Sequence, residues 1–246
     1  MKKTNLVKVT ESQIENLQTI EKQVQELGLA KIDSGFQKAF AVSTATQNLR
    51  QALTSEVMSP IMQMQGSSLG FRTDYDTKGG YPEDVVKEAL IEAVLRGVQP
   101  AGNQFNIIAG RCYITREGFA YLLKNLTGFT DFKPTYDIPE MKPGRATVNC
   151  KATWKMNGKN DSMDCVIPIR VNGNMGADAV LGKAARKLMA RVYWQATGTD
   201  ITDGEALILT SPESGSPNFQ PQPEPSKPIT ADELYGQDNL DMGGEK

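Results

Sequence analysis

The residues best placed to do chemistry in this chain are the cations and aromatic rings of one segment, GKAARKLMARVYW. Helical spacing gathers its apolar positions into a narrow arc and leaves Lys183, Arg186, Lys187 and Trp194 roughly opposite, with Arg191 at the border. Cations that follow phosphates and planar rings that stack on bases are how proteins hold single nucleic-acid strands. The pattern therefore favours a nucleic-acid contact over the alternative, an ordinary solvated helix face.

Further cations and one aromatic ring fall on the polar faces of two predicted hairpins. Arg111 and Tyr113 belong to the first hairpin, and Lys151 and Lys155 belong to the second. With the helix they would line a positively charged groove for a single strand. The candidate DNA-binding set is therefore Arg111, Tyr113, Lys151, Lys155, Lys183, Arg186, Lys187, Arg191 and Trp194.

The composition excludes several catalytic mechanisms. The chain of 246 residues has no histidine, so imidazole bases, Ser-His-Asp triads and histidine-bound zinc are absent. Cys112, Cys150 and Cys165 are too few for a four-cysteine zinc site, and their odd number favours reduced thiols. Gly182-Lys183 lacks the other residues of a phosphate-binding loop. These absences predict a binding protein, not an enzyme, with no bound metal or cofactor.

Charge is distributed unevenly along the chain. Residues 72–197 carry 18 Lys/Arg against 13 Asp/Glu, net +5, whereas residues 198–246 carry 2 against 10, net −8. The segment from Ser211 onward is rich in proline and poor in large apolar residues, which predicts disorder. Such an acidic tail either aids solubility or competes with an anionic ligand for the basic body.

The first hairpin is predicted by its register. With AG as a two-residue turn in FNIIAGRCYIT, Phe105 lies opposite Ile114 and Ile107 lies opposite Cys112. These four apolar side chains then share one face of the hairpin, as the pleat of a half-buried strand pair requires.

The second hairpin has a stronger turn signal, the Asn-Gly pair of WKMNGKND. Its register sets Cys150 opposite Cys165 on an apolar face and Lys151 opposite Asp164 on the other. The two thiols are therefore expected to be small core residues and not a disulfide or a metal site. Trp154 falls on the apolar face and is expected in the core.

Helices connect these hairpins. Helical spacing or end signals predict helices over residues 14–27, from Phe36 to about Leu53, over 82–97, in REGFAYLLKNLTG, and in a long segment ending at Gly198. TDYDTKGGYP is predicted to be a mobile polar loop. The fold class is α+β, antiparallel β-hairpins and helices in the order ββα-ββ-α. Its regions are N-terminal helices over 1–54, a core over 55–200 and an acidic disordered tail over 201–246.

Several segments resemble the RecT/Redβ family of phage single-strand annealing proteins. The similarity is carried by LGFRTD, by EAVLRGVQPAGNQFNIIAGRCYITREGFAYLLKN and by GKAARKLMARVYWQATG, and it spans about residues 55–200 in order. FNIIAG departs from the aromatic-Pro-Tyr strand of many RecT-like members. In this family a helix leads to a hairpin, a helix, further strands and a basic helix.

The resemblance implies an oligomeric ring or filament that coats single-stranded DNA and anneals complementary strands without ATP in recombination. Magnesium would at most modulate DNA binding. A phage exonuclease or a host single-strand-binding protein would be the partner, through the acidic tail. Arg111, Tyr113, Lys183, Arg186 and Lys187 are the matching residues that would contact DNA. The resemblance also implies a protein encoded by a phage or prophage and acting in a bacterial cell. We expect a cytoplasmic location, because no apolar run is as long as a membrane span.

Two other functions remain open at this point. One is a single-strand-binding coating protein without annealing activity, whose acidic tail recruits partners. The other is a metal-dependent nuclease or resolvase, suggested by Asp161 and Asp164 near lysines. The nuclease alternative is weaker, because Asp164 already has a structural explanation opposite Lys151.

Overall fold

A computed structural model of the chain describes residues 35–173 and 175–198, together with single positions between Thr10 and Lys22. The predicted helix over residues 14–27 falls mostly outside these residues, and the predicted tail over 201–246 falls entirely outside them.

The first part of the body, residues 35–125, is mostly helical and contains one hairpin. The second helix follows the first after a break of two residues. The helix that begins at Arg116 is capped by Thr115, whose hydroxyl accepts a hydrogen bond from the Gly118 N–H. In chain order the elements are α1 (Gly35–Ala52), α2 (Ser55–Met62), α3 (Glu83–Leu95), β1 (Phe105–Ile108), β2 (Arg111–Ile114) and α4 (Arg116–Asn125).

The first hairpin has the predicted register. Phe105 pairs with Ile114 and Ile107 pairs with Cys112, and all four side chains are buried. Ala109 and the glycine after it both have positive φ, at 51° and 72°, which is the geometry of a two-residue turn matched to the strand twist.

The second part is a four-stranded antiparallel sheet and a long helix. Strand β5 lies in the centre, with β6 on one side and with β3 and β4 following one another on the other side. The α+β class is thereby confirmed. The elements are β3 (Phe129–Tyr136), β4 (Glu140–Lys142), β5 (Arg145–Met156), β6 (Lys159–Arg170) and α5 (Ala177–Thr197).

Helix α5 covers one face of this sheet, which we call the inner face. Leu188 and Val192 of α5 are fully buried in one cluster with Val148, Ile167 and Trp154 of the sheet. The predicted β5–β6 register is confirmed, and with it the place of Trp154 in the core. The other face, the outer face, is lined by exposed side chains.

Helix α5 also joins the two parts of the body. A second hydrophobic cluster holds the ends of α1 and α2 together with α3, the first hairpin and most of the buried face of α4. Met189 and Tyr193 of α5 pack against both clusters. The rotation of α5 therefore depends on contacts with both parts.

Three elements were not predicted. Helix α2 contains Pro60 at its sixth position, beyond the first turn, and an interior proline discourages a helical assignment. Strand β3 contains Pro134 and a register shift near Asp131, whose φ is 56°, so its alternation is interrupted. Strand β4 has three residues, too short for a periodic signal.

The loop predicted to be mobile is fastened by hydrogen bonds. The Tyr81 hydroxyl donates to Asp74 Oδ1 at 2.9 Å and accepts from the Gly110 N–H at 3.0 Å. The Gln65 amide pairs with the backbone of Tyr81 on both sides. Burial, and then the hydrogen bond to Asp74, raise the pKa of Tyr81 to about 12, so it remains a donor at neutral pH.

Two glycines in helices test the packing described above. A Cβ at Gly118 would overlap the Gln104 carbonyl oxygen and come within 2.7 Å of Ile114, whereas one at Gly182 would meet nothing within 4 Å. We expect Gly118→Ala to lower the free energy of unfolding by about 2–3 kcal/mol. Gly182→Ala should raise it by about 0.5–1 kcal/mol, because alanine is the better helix former. Urea denaturation measures both, and equal effects of the two substitutions would contradict this packing.

Candidate nucleic-acid interface

Helix α5 runs antiparallel along strand β6. Near the middle of the helix, Lys187 Nζ donates to the Pro168 carbonyl oxygen at 3.0 Å. Two turns further, Gln195 Nε2 lies 3.1 Å from both carboxylate oxygens of Asp161. These contacts fix one side of α5 beside the strand.

That side of α5 carries three cations and an aromatic ring. Lys183, Lys187, Arg191 and Trp194 are spaced by four, four and three residues, which places them in one stripe along the helix. Arg191 is exposed, Trp194 is 52% exposed, and the two lysines are half-buried. We call these four residues the flank stripe. It extends about 16 Å along the helix axis.

The flank stripe borders an open edge of the sheet. Within the described part of the chain, β6 pairs only with β5, over all twelve of its residues. The outer side of an edge strand presents backbone N–H and C=O groups to solvent. A ligand along the stripe therefore meets cations from the helix and hydrogen-bonding groups from the strand.

Arg186 does not belong to this surface, and its prediction as a solvent-side residue is wrong. It is 6% exposed, and its Nε donates to the Ile114 carbonyl oxygen at 2.6 Å. Its guanidinium lies 3.8 Å from the Tyr113 ring centroid and 5.6 Å from that of Phe119. Successive side chains on an α-helix point in directions that differ by 100° around the axis. Arg186 and Lys187, although adjacent in sequence, therefore face different surroundings.

Tyr113 is half-buried beneath this guanidinium, so it serves packing between β2 and α5. Arg111 lies elsewhere, in a cleft of about 420 Å³ whose lining comes from α1, α3 and the hairpin turn. The same cleft is lined by Glu88 and Glu92, which bind Arg50 and Arg96. The hairpin residues and α5 therefore do not form the single groove that the sequence suggested.

Lys151 and Lys155 lie on the outer face, and each is paired with a carboxylate. Lys151 Nζ is 2.9 Å from Asp164, as the register predicted, and Lys155 Nζ is 2.7 Å from Asp131. The hydrogen bond that Lys151 donates to Asp164 raises the pKa of Lys151, and the one that Lys155 donates to Asp131 lowers the pKa of Asp131. A phosphate must therefore compete with a carboxylate for each of these lysines.

The structure adds three cations that the site prediction omitted. Lys142 lies opposite Arg145, and Arg145 lies opposite Arg170, so that β4, β5 and β6 each contribute one exposed cation to the same row. We call these three residues the cation row. The register of the second hairpin already predicts that Arg145 lies opposite Arg170. The place of Lys142 beside them could not be predicted, because strand β4 was not predicted.

The positive charge of the body is concentrated in its second part. Residues 129–197 carry 11 Lys/Arg against 6 Asp/Glu, net +5, and residues 72–128 carry 7 against 7. The sheet and α5 thus hold the whole excess of the basic region, which places the favourable potential for an anion around these elements.

The cysteines match the prediction of core residues. Cys112 and Cys150 are buried, Cys165 is half-buried, and all three are free thiols. Burial, followed by the proximity of Cys165, raises the pKa of Cys150 to about 11, so its thiol stays protonated at neutral pH. Among the residues described, no three His, Cys, Asp or Glu side chains are grouped as metal ligands would be.

Comparison of the chain with protein-family models, with curated proteins and with solved structures finds no match. None of the described helices has the length and apolar character needed to cross a membrane. The site must therefore be judged on its own geometry.

The burial of Arg186 gives a prediction for stability. Arg186→Ala removes a charge-assisted hydrogen bond and the contact with the Tyr113 ring, and should lower the free energy of unfolding by about 2–4 kcal/mol. Arg191→Ala, a matched control on the exposed side of α5, should change it by less than about 0.5 kcal/mol. Urea unfolding compares the two, and similar losses would show that Arg186 has no special role.

Proposed function

We propose that this protein binds single-stranded DNA along the flank stripe and promotes annealing of complementary strands without ATP. The observation that carries the proposal is the alignment of three cations and a half-exposed tryptophan beside an open sheet edge. The resemblance to single-strand annealing proteins supports the annealing step.

The chemistry of the stripe suits a flexible strand more than a duplex. Lys183, Lys187 and Arg191 would contact phosphates at intervals along the strand, and Trp194 would stack on one base. At about 3.4 Å per nucleotide, a stripe of about 16 Å covers about five nucleotides. A single stacking ring accepts any base, so binding would not depend on sequence.

Annealing requires that the bound strand can still pair. Contacts to phosphates and stacking on one base leave the Watson–Crick edges of the other bases accessible. Holding the backbone on a basic surface also reduces the repulsion that opposes the approach of a second strand. Both effects need no nucleotide hydrolysis.

A labelled oligonucleotide, incubated with the full chain and magnesium with and without its complement, separates the alternatives. Annealing predicts duplex formation faster than the uncatalysed reaction. Binding that leaves the annealing rate unchanged would identify a coating protein, and shortening of the oligonucleotide would identify a nuclease. Either of these outcomes would overturn the proposal.

Lys183→Ala with Lys187→Ala should weaken single-strand binding and reduce the log–log salt slope by about 1.4, since each phosphate contact contributes about 0.7. The matched control is Lys78→Ala with Lys124→Ala, which removes two exposed lysines from the first part of the body. Fluorescence anisotropy at several salt concentrations measures both. An unchanged slope in the α5 variant would remove the stripe from the site.

Trp194 supplies an independent signal for this binding. The chain has two tryptophans, and Trp154 is 2% exposed in the core. Base stacking should therefore quench the emission of Trp194. The quenching should disappear in Trp194→Phe, whose fold is unaffected because the ring is exposed.

A further inference from the structure

The cation row places like charges directly opposite one another. Lys142 pairs in register with Arg145, which in turn pairs with Arg170. Neighbouring strands are about 4.8 Å apart, so three positive charges lie within about 10 Å. Like charges opposite each other destabilise a sheet, and at physiological salt this separation is about one screening length.

No ion pair in the described part of the chain offsets this repulsion; Glu140, two residues from Lys142 on the same face, accepts a hydrogen bond from Thr147 instead. None of the three side chains makes an ion pair or a side-chain hydrogen bond with a described residue. On the same face, Lys151 and Lys155 each have a carboxylate within 3 Å. The outer face therefore neutralises its central lysines and leaves the terminal row available for an anion from outside.

The row begins where the flank stripe approaches the end of the strand. Arg170 is two residues beyond Pro168, whose carbonyl oxygen accepts the hydrogen bond from Lys187. The turn between β4 and β5 is held there as well, because the Val171 N–H donates to the Gly144 carbonyl oxygen at 3.1 Å. The row is thus built on paired strands, and its Arg170 end is two residues along β6 from the point where the stripe contacts that strand.

We infer that the cation row is a second phosphate-binding site, which takes the backbone of a nucleic-acid strand as it leaves the flank stripe and crosses the outer face. This inference rests on the proposed function. Two of its three members are arginines, whose planar fork binds phosphate oxygens in pairs. The side chains of the outer face include no aromatic ring among the described strands, so contact would be with phosphates and not with bases.

The length of the DNA tests this path. We compare a variant with Lys142→Gln, Arg145→Gln and Arg170→Gln with a control carrying Arg72→Gln, Lys78→Gln and Lys124→Gln, which loses the same charge from exposed positions of the first part. Oligothymidines of about 5 and about 15 nucleotides cover the stripe alone or the stripe and the row.

For the long oligonucleotide, the row variant should bind at least about 10-fold more weakly at low salt, with a slope reduced by about 2. Its affinity for the short one should equal that of the control. Equal losses for both lengths would mean that the row belongs to the primary site, and no loss for either would mean that it binds no DNA. Both results overturn the inference while leaving the proposed function standing.

Inorganic tripolyphosphate tests the row without DNA. It should raise the thermal midpoint of the wild-type protein and of the control, but not that of the row variant. If the wild-type protein binds neither oligonucleotide, the proposed function fails. The change in thermal midpoint with tripolyphosphate then decides by itself whether the row binds anions. A glutamate peptide of matched charge is compared with the long oligonucleotide as a competitor of tripolyphosphate. If the peptide displaces tripolyphosphate better, the ligand of the row is an acidic protein segment, and the inference is overturned.

A single substitution covers the case in which the triple variant does not fold. Arg145→Glu would convert the row into alternating charges, as in the Lys151–Asp164 pair. We expect a higher unfolding midpoint together with weaker binding of the long oligonucleotide. A lower midpoint would show that Arg145 stabilises the sheet, and would contradict the inference.

Discussion

The rotation of helix α5 about its own axis is the constraint on which the candidate interface depends. On one side Arg186 is anchored to the Ile114 carbonyl oxygen and to the Tyr113 ring. On the other side Lys187 is held by the carbonyl oxygen of Pro168. Between them the apolar arc packs on the sheet. These contacts together determine which cations of GKAARK reach solvent and which become part of the packing.

This arrangement explains why two adjacent basic residues have different roles. Arg186 connects helix α5 to the first hairpin, where a guanidinium can donate to a carbonyl group and still cover an aromatic ring. Lys187 faces the strand edge and keeps its charge near solvent. A basic motif on a helix therefore need not form one surface, because the helix turns by 100° at each residue.

Much of the fold was predictable because it follows from local periodicity. Both hairpin registers follow from a two-residue turn and a period of two, and α5 ends at Gly198 as its stop signal indicates. The site was predictable only in part. The flank stripe follows from spacing on one helix, whereas the burial of Arg186 depends on a hairpin about seventy residues earlier in the chain. The cation row needs β4, whose three residues give no signal of their own.

Strand β6 illustrates how an open sheet edge can avoid self-polymerisation. Both backbone groups of a residue in an antiparallel strand point to the same side, so the carbonyl of Pro168 that Lys187 occupies marks the solvent side. Proline has no N–H to offer there, and the lysine covers the acceptor. A foreign strand that began to pair along this edge would meet a position with neither donor nor free acceptor. The row of backbone donors and acceptors along this edge is thereby interrupted at Pro168, which disfavours aggregation by continuous extension of the sheet.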